Sequence, residues 1–144
     1  MRISAKSEYA IKAVLDLAMH PEVGLVPIQE IAARQGIPQR YLEQVLIALK
    51  RGGLVRSKRG SAGGYHLTRP PEDITVGDVL RAVEGASAFE ALGGRKPNRN
   101  GQDLAELWTE ISEAVSSVVD RLTFGELASR AAERVGAGRM MYHI

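Results

Sequence analysis

Apolar residues recur every three or four positions over several stretches of the chain, which is the spacing of amphipathic helices. From Ser7 to Met19 they are Ala10, Ala13, Val14, Leu17 and Ala18, with Glu8, Lys12 and Asp16 on the opposite side, and His20-Pro21 stops this first helix. Ile28, Ile31 and Ala32 predict a brief second helix that Gly36 ends; Pro27 at its start is compatible with a first turn but supplies no capping oxygen. A third helix begins near Pro38 and runs from Gln39 to Arg51, with Leu42, Val45, Leu46 and Leu49 on one face. Its other face is Gln39, Arg40, Glu43, Gln44, Ile47, Lys50 and Arg51.

The pattern then changes. Leu54 to Ser57 and Tyr65 to Thr68 predict two short strands around the glycine-rich reversal Gly60-Ser61-Ala62-Gly63-Gly64. Thr75 is placed to cap a fourth helix through Val76, Val79, Leu80 and Val83 to Gly85. Periodicity fades from Ala86 to Gln102 and returns in a long helix from about Asp103, where Leu104, Leu107, Ile111, Val115, Val118 and Leu122 form a near-heptad seam. A seam of that length needs a partner, and the same helix of a second copy is the simplest one. Thr123 is a cap for a last helix, Gly125 to Arg134, after which Gly136-Ala137-Gly138 releases a tail. The expected organisation is residues 1–85 for DNA binding, 86–102 as a flexible loop, 103–134 for dimerisation and 135–144 as the tail.

Two helices joined by a tight turn and followed by a hairpin predict a mainly α fold: a winged helix-turn-helix with a long dimerisation helix. Charge sharpens this reading. Between Arg34 and Arg69 eight basic residues face one acid, Glu43, giving +7 in a chain whose total is +2. Such a local excess marks a phosphate-binding surface. A merely solvated polar face does not explain why a basic helix face, a glycine-rich turn and the cluster Arg56, Lys58, Arg59 follow one another.

On this reading Arg40, Tyr41 and Gln44 reach base edges in the major groove, each good bidentate contact discriminating by ~1 to 3 kcal/mol. Arg59, beside Gly60, enters the minor groove or grips phosphate, while Lys6, Lys50, Arg51, Arg56 and Lys58 supply sequence-independent affinity. Gln39 lies at the start of the same face. Glu43 acts as a specificity filter, since an acid facing DNA costs affinity unless it accepts from a cytosine amino group.

The 144 residues contain no cysteine, which excludes disulfides, thiol catalysis and thiolate-held metal centres. His20, His66 and His143 are scattered, no nucleophile and base stand at catalytic spacing, and no apolar run is long enough to span a membrane. A cytoplasmic, non-enzymatic protein without metal or cofactor is expected.

The segments Tyr41-Leu42-Glu43-Gln44, Gly53-Leu54-Val55, Arg59-Gly60, Gly63-Gly64-Tyr65 and Ile74 to Val79, with the opening Met1 to Ser4, closely resemble the Rrf2 family of bacterial winged-helix transcription regulators. The resemblance implies a homodimer on a pseudo-palindromic operator in double-stranded DNA. Many members hold an iron-sulfur cluster through cysteines in the loop after the fourth helix; here that loop, roughly Glu90 to Asp103, has neither cysteine nor histidine.

Glu106-Leu107-Trp108, Leu122-Thr123, Glu126 to Ser129 and the tail Met140 to Ile144 resemble more closely the family's clusterless repressors of cysteine metabolism. That likeness implies a repressor of sulfur genes and a complex with cysteine synthase, whose active site would accept the tail through Tyr142 and the Ile144 carboxylate. The rival is a tail that packs or frays. A rival for the whole chain is a protein-interaction module with a vestigial wing.

Overall fold

The computed structural model describes residues 4–85, 88 and 104–142, with side chains as far as residue 136. Helix α1 (Ala5–Met19) starts at Ser4, whose Oγ accepts from the Ser7 N–H at 3.1 Å. After a single 3-10 turn, Pro21–Val23, come α2 (Ile28–Gln35) and α3 (Gln39–Arg51). Gly36 ends α2 in the left-handed conformation (φ 64), as its position predicts. Strands β1 (Val55–Lys58) and β2 (Gly64–Leu67) pair antiparallel, Arg56 opposite His66 and Lys58 opposite Gly64. They sit one residue nearer the tip of the hairpin than the apolar pattern indicates.

Helix α4 (Val76–Glu84) carries a full capping box. Thr75 accepts from the Asp78 N–H at 3.0 Å and Asp78 accepts from the Thr75 N–H at 3.0 Å. Helices α5 (Ala105–Arg121) and α6 (Phe124–Tyr142) complete the chain, and Thr123 caps α6 by accepting from the Glu126 N–H.

One hydrophobic core joins these elements. Ala10, Ala13 and Val14 of α1, Ile31 of α2, Leu42, Val45, Leu46 and Leu49 of α3, and Val79 of α4 are buried in it. Phe124, at the start of α6, is fully buried in the same core, and Leu127 and Ala128 pack against it. The junction between α5 and α6 is fastened by backbone hydrogen bonds: Val76 N–H to Leu122 O and Phe124 N–H to Ile74 O, both 2.9 Å.

Two expectations need correction. The last helix does not stop at Arg134; it continues through Gly136 and Gly138 to Tyr142, so these glycines do not release a tail there. Asp16, placed on the polar side of α1 by its spacing, is fully buried. In the connection before α2, Val26 bridges Tyr65 of β2 through reciprocal N–H to O bonds of 2.9 Å. The proposed loop at 86–102 lies outside the described residues apart from residue 88, as do Ile144 and the side chain of Tyr142.

Candidate nucleic-acid interface

The burial of Leu42, Val45, Leu46 and Leu49 turns the opposite face of α3 outward. Gln39, Arg40, Tyr41, Glu43, Gln44, Lys50 and Arg51 are all exposed on it. Ile47 lies among them with 51% of its surface accessible. The sequence reading placed Ile47 on this face but did not count it among the functional residues; an apolar side chain amid polar ones is the signal that could have found it.

The aromatic part of the surface crosses between helices. The Arg40 guanidinium lies 4.7 Å from the centre of the Tyr41 ring and donates to the Tyr41 hydroxyl at 3.0 Å. Tyr41 in turn stacks on Tyr9 of α1, ring centres 6.3 Å apart. Tyr9 therefore belongs to the site, although its position on the first helix gave no hint of it. Lys6, also exposed, precedes Tyr9 on α1 by about one turn.

The wing meets the other end of α3. Lys50 Nζ donates to Ser57 Oγ of β1 at 2.8 Å, and a cleft between helix and hairpin is lined by Ile47, Lys50, Lys58, Arg59 and Tyr65. Arg56, Lys58, Arg59 and Gly60 are exposed. Gly60 has φ +115 and its carbonyl accepts from the Gly63 N–H at 3.0 Å, closing the tip. At the root of the hairpin, a Cβ on Gly64 would lie 2.6 Å from the Val26 carbonyl, so the bridge to Val26 requires glycine there.

Two cations in the charge count serve the fold instead. Arg34 grips buried Asp16 with Nε and Nη2, both at 2.9 Å, while Gln35 donates to the same carboxylate at 3.0 Å. Arg69 pairs with Asp78 at 3.2 Å, tying the exit of the hairpin to α4. Among the described residues, Arg40, Lys50, Arg51, Arg56, Lys58 and Arg59 have no carboxylate partner.

The proposed dimer seam is open on this chain only in part, because Val115 and Leu122 pack against the chain's own core. No residue of α5 is buried; Leu104, Leu107 and Val118 are exposed, and Ile111, Val115 and Leu122 are half-buried. Trp108 is half-buried beside Thr109 and Ser112 in a shallow polar groove of α5. The last turn of α5 is clamped to α4 by a two-pronged ion pair, Arg81 to Asp120 at 2.6 and 2.8 Å. Gly77 makes room for it, since a Cβ there would stand 2.0 Å from Asp120 Oδ1. The Arg81 hydrogen bonds hold the Asp120 carboxyl below its ordinary range. At the C-terminal end of α4, hydrogen bonds from Ser4 and Ser7 lower that of Glu84, with a smaller contribution from Lys6.

A metal centre finds no ligand set among the described residues, and a thiolate-held cluster does not fit a chain without cysteine. No described helix is long and apolar enough to cross a membrane.

A helix-turn-helix with its second helix exposed and basic, flanked by a basic wing, defines a DNA-binding transcription regulator. The family model described as "Rrf2: Iron-dependent Transcriptional regulator" matches residues 3–130, and the chain belongs to that family. It is 39% identical over 129 residues to the HTH-type transcriptional regulator IscR of Aliivibrio salmonicida, covering 88% of this chain and 77% of the relative.

Among solved structures it is similar to T. potens IscR (TM-score 0.76, 34% identity, 93% of this chain and 90% of the other). It is equally similar to CymR, described as the global cysteine regulator of B. subtilis (TM-score 0.76, 34% identity, 90% and 98%). Both kinds of regulator match, so the particular likeness to cysteine-metabolism repressors is not supported.

Proposed function

We propose that the protein is a homodimeric, cytoplasmic repressor that binds a pseudo-palindromic operator and carries no iron-sulfur cluster. The observation that carries the DNA reading is the row of cations running from α3 onto the wing that have no carboxylate partner among the described residues. Exposed Leu104, Leu107 and Val118 along α5 support the dimer. Two copies joined there would present two α3 helices to successive major grooves and occlude the site from other proteins.

Arg40, Tyr41 and Gln44 read bases, Ile47 packs against a thymine methyl group, Glu43 filters, and Gln39 lies beside the backbone. Arg59 and Gly60 form the wing tip, while Lys6, Lys50, Arg51, Arg56 and Lys58 hold phosphates. Control of cysteine genes rests on the CymR likeness alone, and the IscR relatives match at equal or higher identity. A cysteine synthase complex through Tyr142 and Ile144 has no support in the comparisons; deleting residues 142–144 and measuring association with that enzyme tests it directly.

Binding to operator duplex, located by mapping genomic occupancy, is the test. Affinity falls by about 10³ to 10⁵ between ~50 and ~200 mM salt if the dimer neutralises about six to ten phosphates. The double variant Arg59→Ala, Gln44→Ala loses operator binding and remains a dimer. Salt-independent affinity, or normal binding by that variant, would overturn the assignment.

A further inference from the structure

The hairpin has a second face, turned away from α3, and a cavity of about 540 Å³ opens against it. Its walls come from α1, the turn before α2 and β2: Leu17, Leu25, Val26 and Leu67 supply apolar surface. Its polar lining is of one kind. Lys58, Arg69, His20 and His66 line it, and among the described residues none of its lining is acidic.

The volume lies within the range of small-molecule sites, and mostly apolar walls with a few convergent polar groups are what such sites present. Both imidazoles have Nδ1 against a backbone carbonyl, His20 with Asp16 O at 2.7 Å and His66 with Leu67 O at 2.9 Å. Those contacts leave each Nε2 as the ring atom for another partner. Arg69 is held in place by Asp78, so a guanidinium is positioned at the rim before any ligand arrives.

We propose that this cavity binds a small organic acid with an apolar body, its carboxylate between Lys58 and Arg69 and its body against Leu17, Leu25 and Val26. The consequence for regulation follows from Lys58. That residue lines both this cavity and the cleft between α3 and the wing. A carboxylate bound behind the hairpin competes with DNA phosphate for the same ammonium group and weakens operator binding.

Octanoate and phenylbutyrate are suitable probes, with octanol and phenylbutanol as uncharged counterparts. Titration calorimetry and amide chemical-shift mapping on the full chain are expected to show binding of the acids, with shifts at Leu25, Val26 and His66, and much weaker binding of the alcohols. Arg69→Gln weakens the acids by about tenfold, equivalent to one ion pair lost, and Leu25→Trp, which fills the cavity, abolishes their binding. Without acid both variants keep the parent's duplex affinity. Saturating acid weakens duplex binding of the parent about tenfold, within the usual range of coupling between sites, and leaves Leu25→Trp unaffected.

Absence of acid binding, equal binding of the alcohols, undiminished binding by both variants, or acid binding without change in duplex affinity would each overturn the proposal. The coupling half rests on the DNA reading above. A parent chain that fails to bind duplex in the absence of acid refutes that reading, whereas the calorimetric half decides the cavity by itself.

Discussion

A carboxylate taken out of water is costly unless its lone pairs and charge are met, and Asp16 is met on several sides. Arg34 and Gln35 donate to it from α2, and His20 stands 4.0 Å away. The pair is lopsided: Asp16 has no exposure, while the Arg34 side chain is 34% accessible. Removing the charge of Asp16 leaves Arg34 to rehydrate partly, so Asp16→Asn is expected to cost about 2 to 3 kcal/mol, below the ~3 to 5 kcal/mol of a fully buried broken pair. Denaturant unfolding measures this. An unchanged midpoint would show that α1 and α2 are held by apolar packing alone.

Glu84 and Asp120 make a prediction of a different sign-sensitive kind. Both carboxyls are held below their ordinary range in the folded chain, Glu84 by Ser4 and Ser7 and Asp120 by Arg81. Each contributes stability that is present above its unfolded-state pKa and is lost as pH falls through its folded one. Glu84→Gln and Asp120→Asn should therefore flatten the acid side of the stability curve and matter least after acidification. Urea midpoints measured from neutral pH downward check this, and parallel curves for parent and variants would contradict it.

At the scale of elements, the wing is made by backbone as much as by side chains. Gly64→Ala places a methyl group 2.6 Å from the Val26 carbonyl. That carbonyl belongs to the polypeptide itself and cannot swing aside, so the bridge to Val26 must open. An overpacking cost of about 1 to 3 kcal/mol is expected, with faster exchange of the Val26 and Tyr65 amides; unchanged protection of those amides would show that the hairpin tolerates the shift.

This element also marks where the sequence ceases to be informative. The recognition helix was readable to its end residues because its four buried positions keep a three-four spacing and its exposed face is polar. A one-residue bridge has no period, so Val26 could not announce itself. Helix α6 runs past the end that Gly136 and Gly138 predict, because glycine within a helix costs only about 1 kcal/mol relative to alanine. Asp16 was misread because spacing alone cannot distinguish a solvated carboxylate from one that faces an arginine two elements away. The cation count likewise includes Arg34 and Arg69, whose carboxylate partners Asp16, Glu30 and Asp78 all lie outside the counted stretch.

For the whole molecule, α5 is the element whose surroundings a single chain does not complete. It carries exposed Leu107 and Val118 on a helix with no buried residue. Leu107→Glu with Val118→Glu is expected to convert a dimer into monomers while leaving helical content unchanged, because neither side chain belongs to the core that includes Phe124. Sedimentation velocity with circular dichroism tests this. A double variant that still sediments as a dimer would place the contact elsewhere.

The bridge between Val26 and Tyr65 has one more consequence. It ties the hairpin to the segment that leads into α2, so the wing and the helix pair are braced together like the fixed jaws of a caliper. A reader of fixed jaw width discriminates among duplexes by how readily each adopts the matching groove separation. Base steps lying between the touched positions, contacted by no side chain, should therefore alter affinity through their stiffness, and inserting flexible pyrimidine-purine steps there would tune the operator without changing any readable letter.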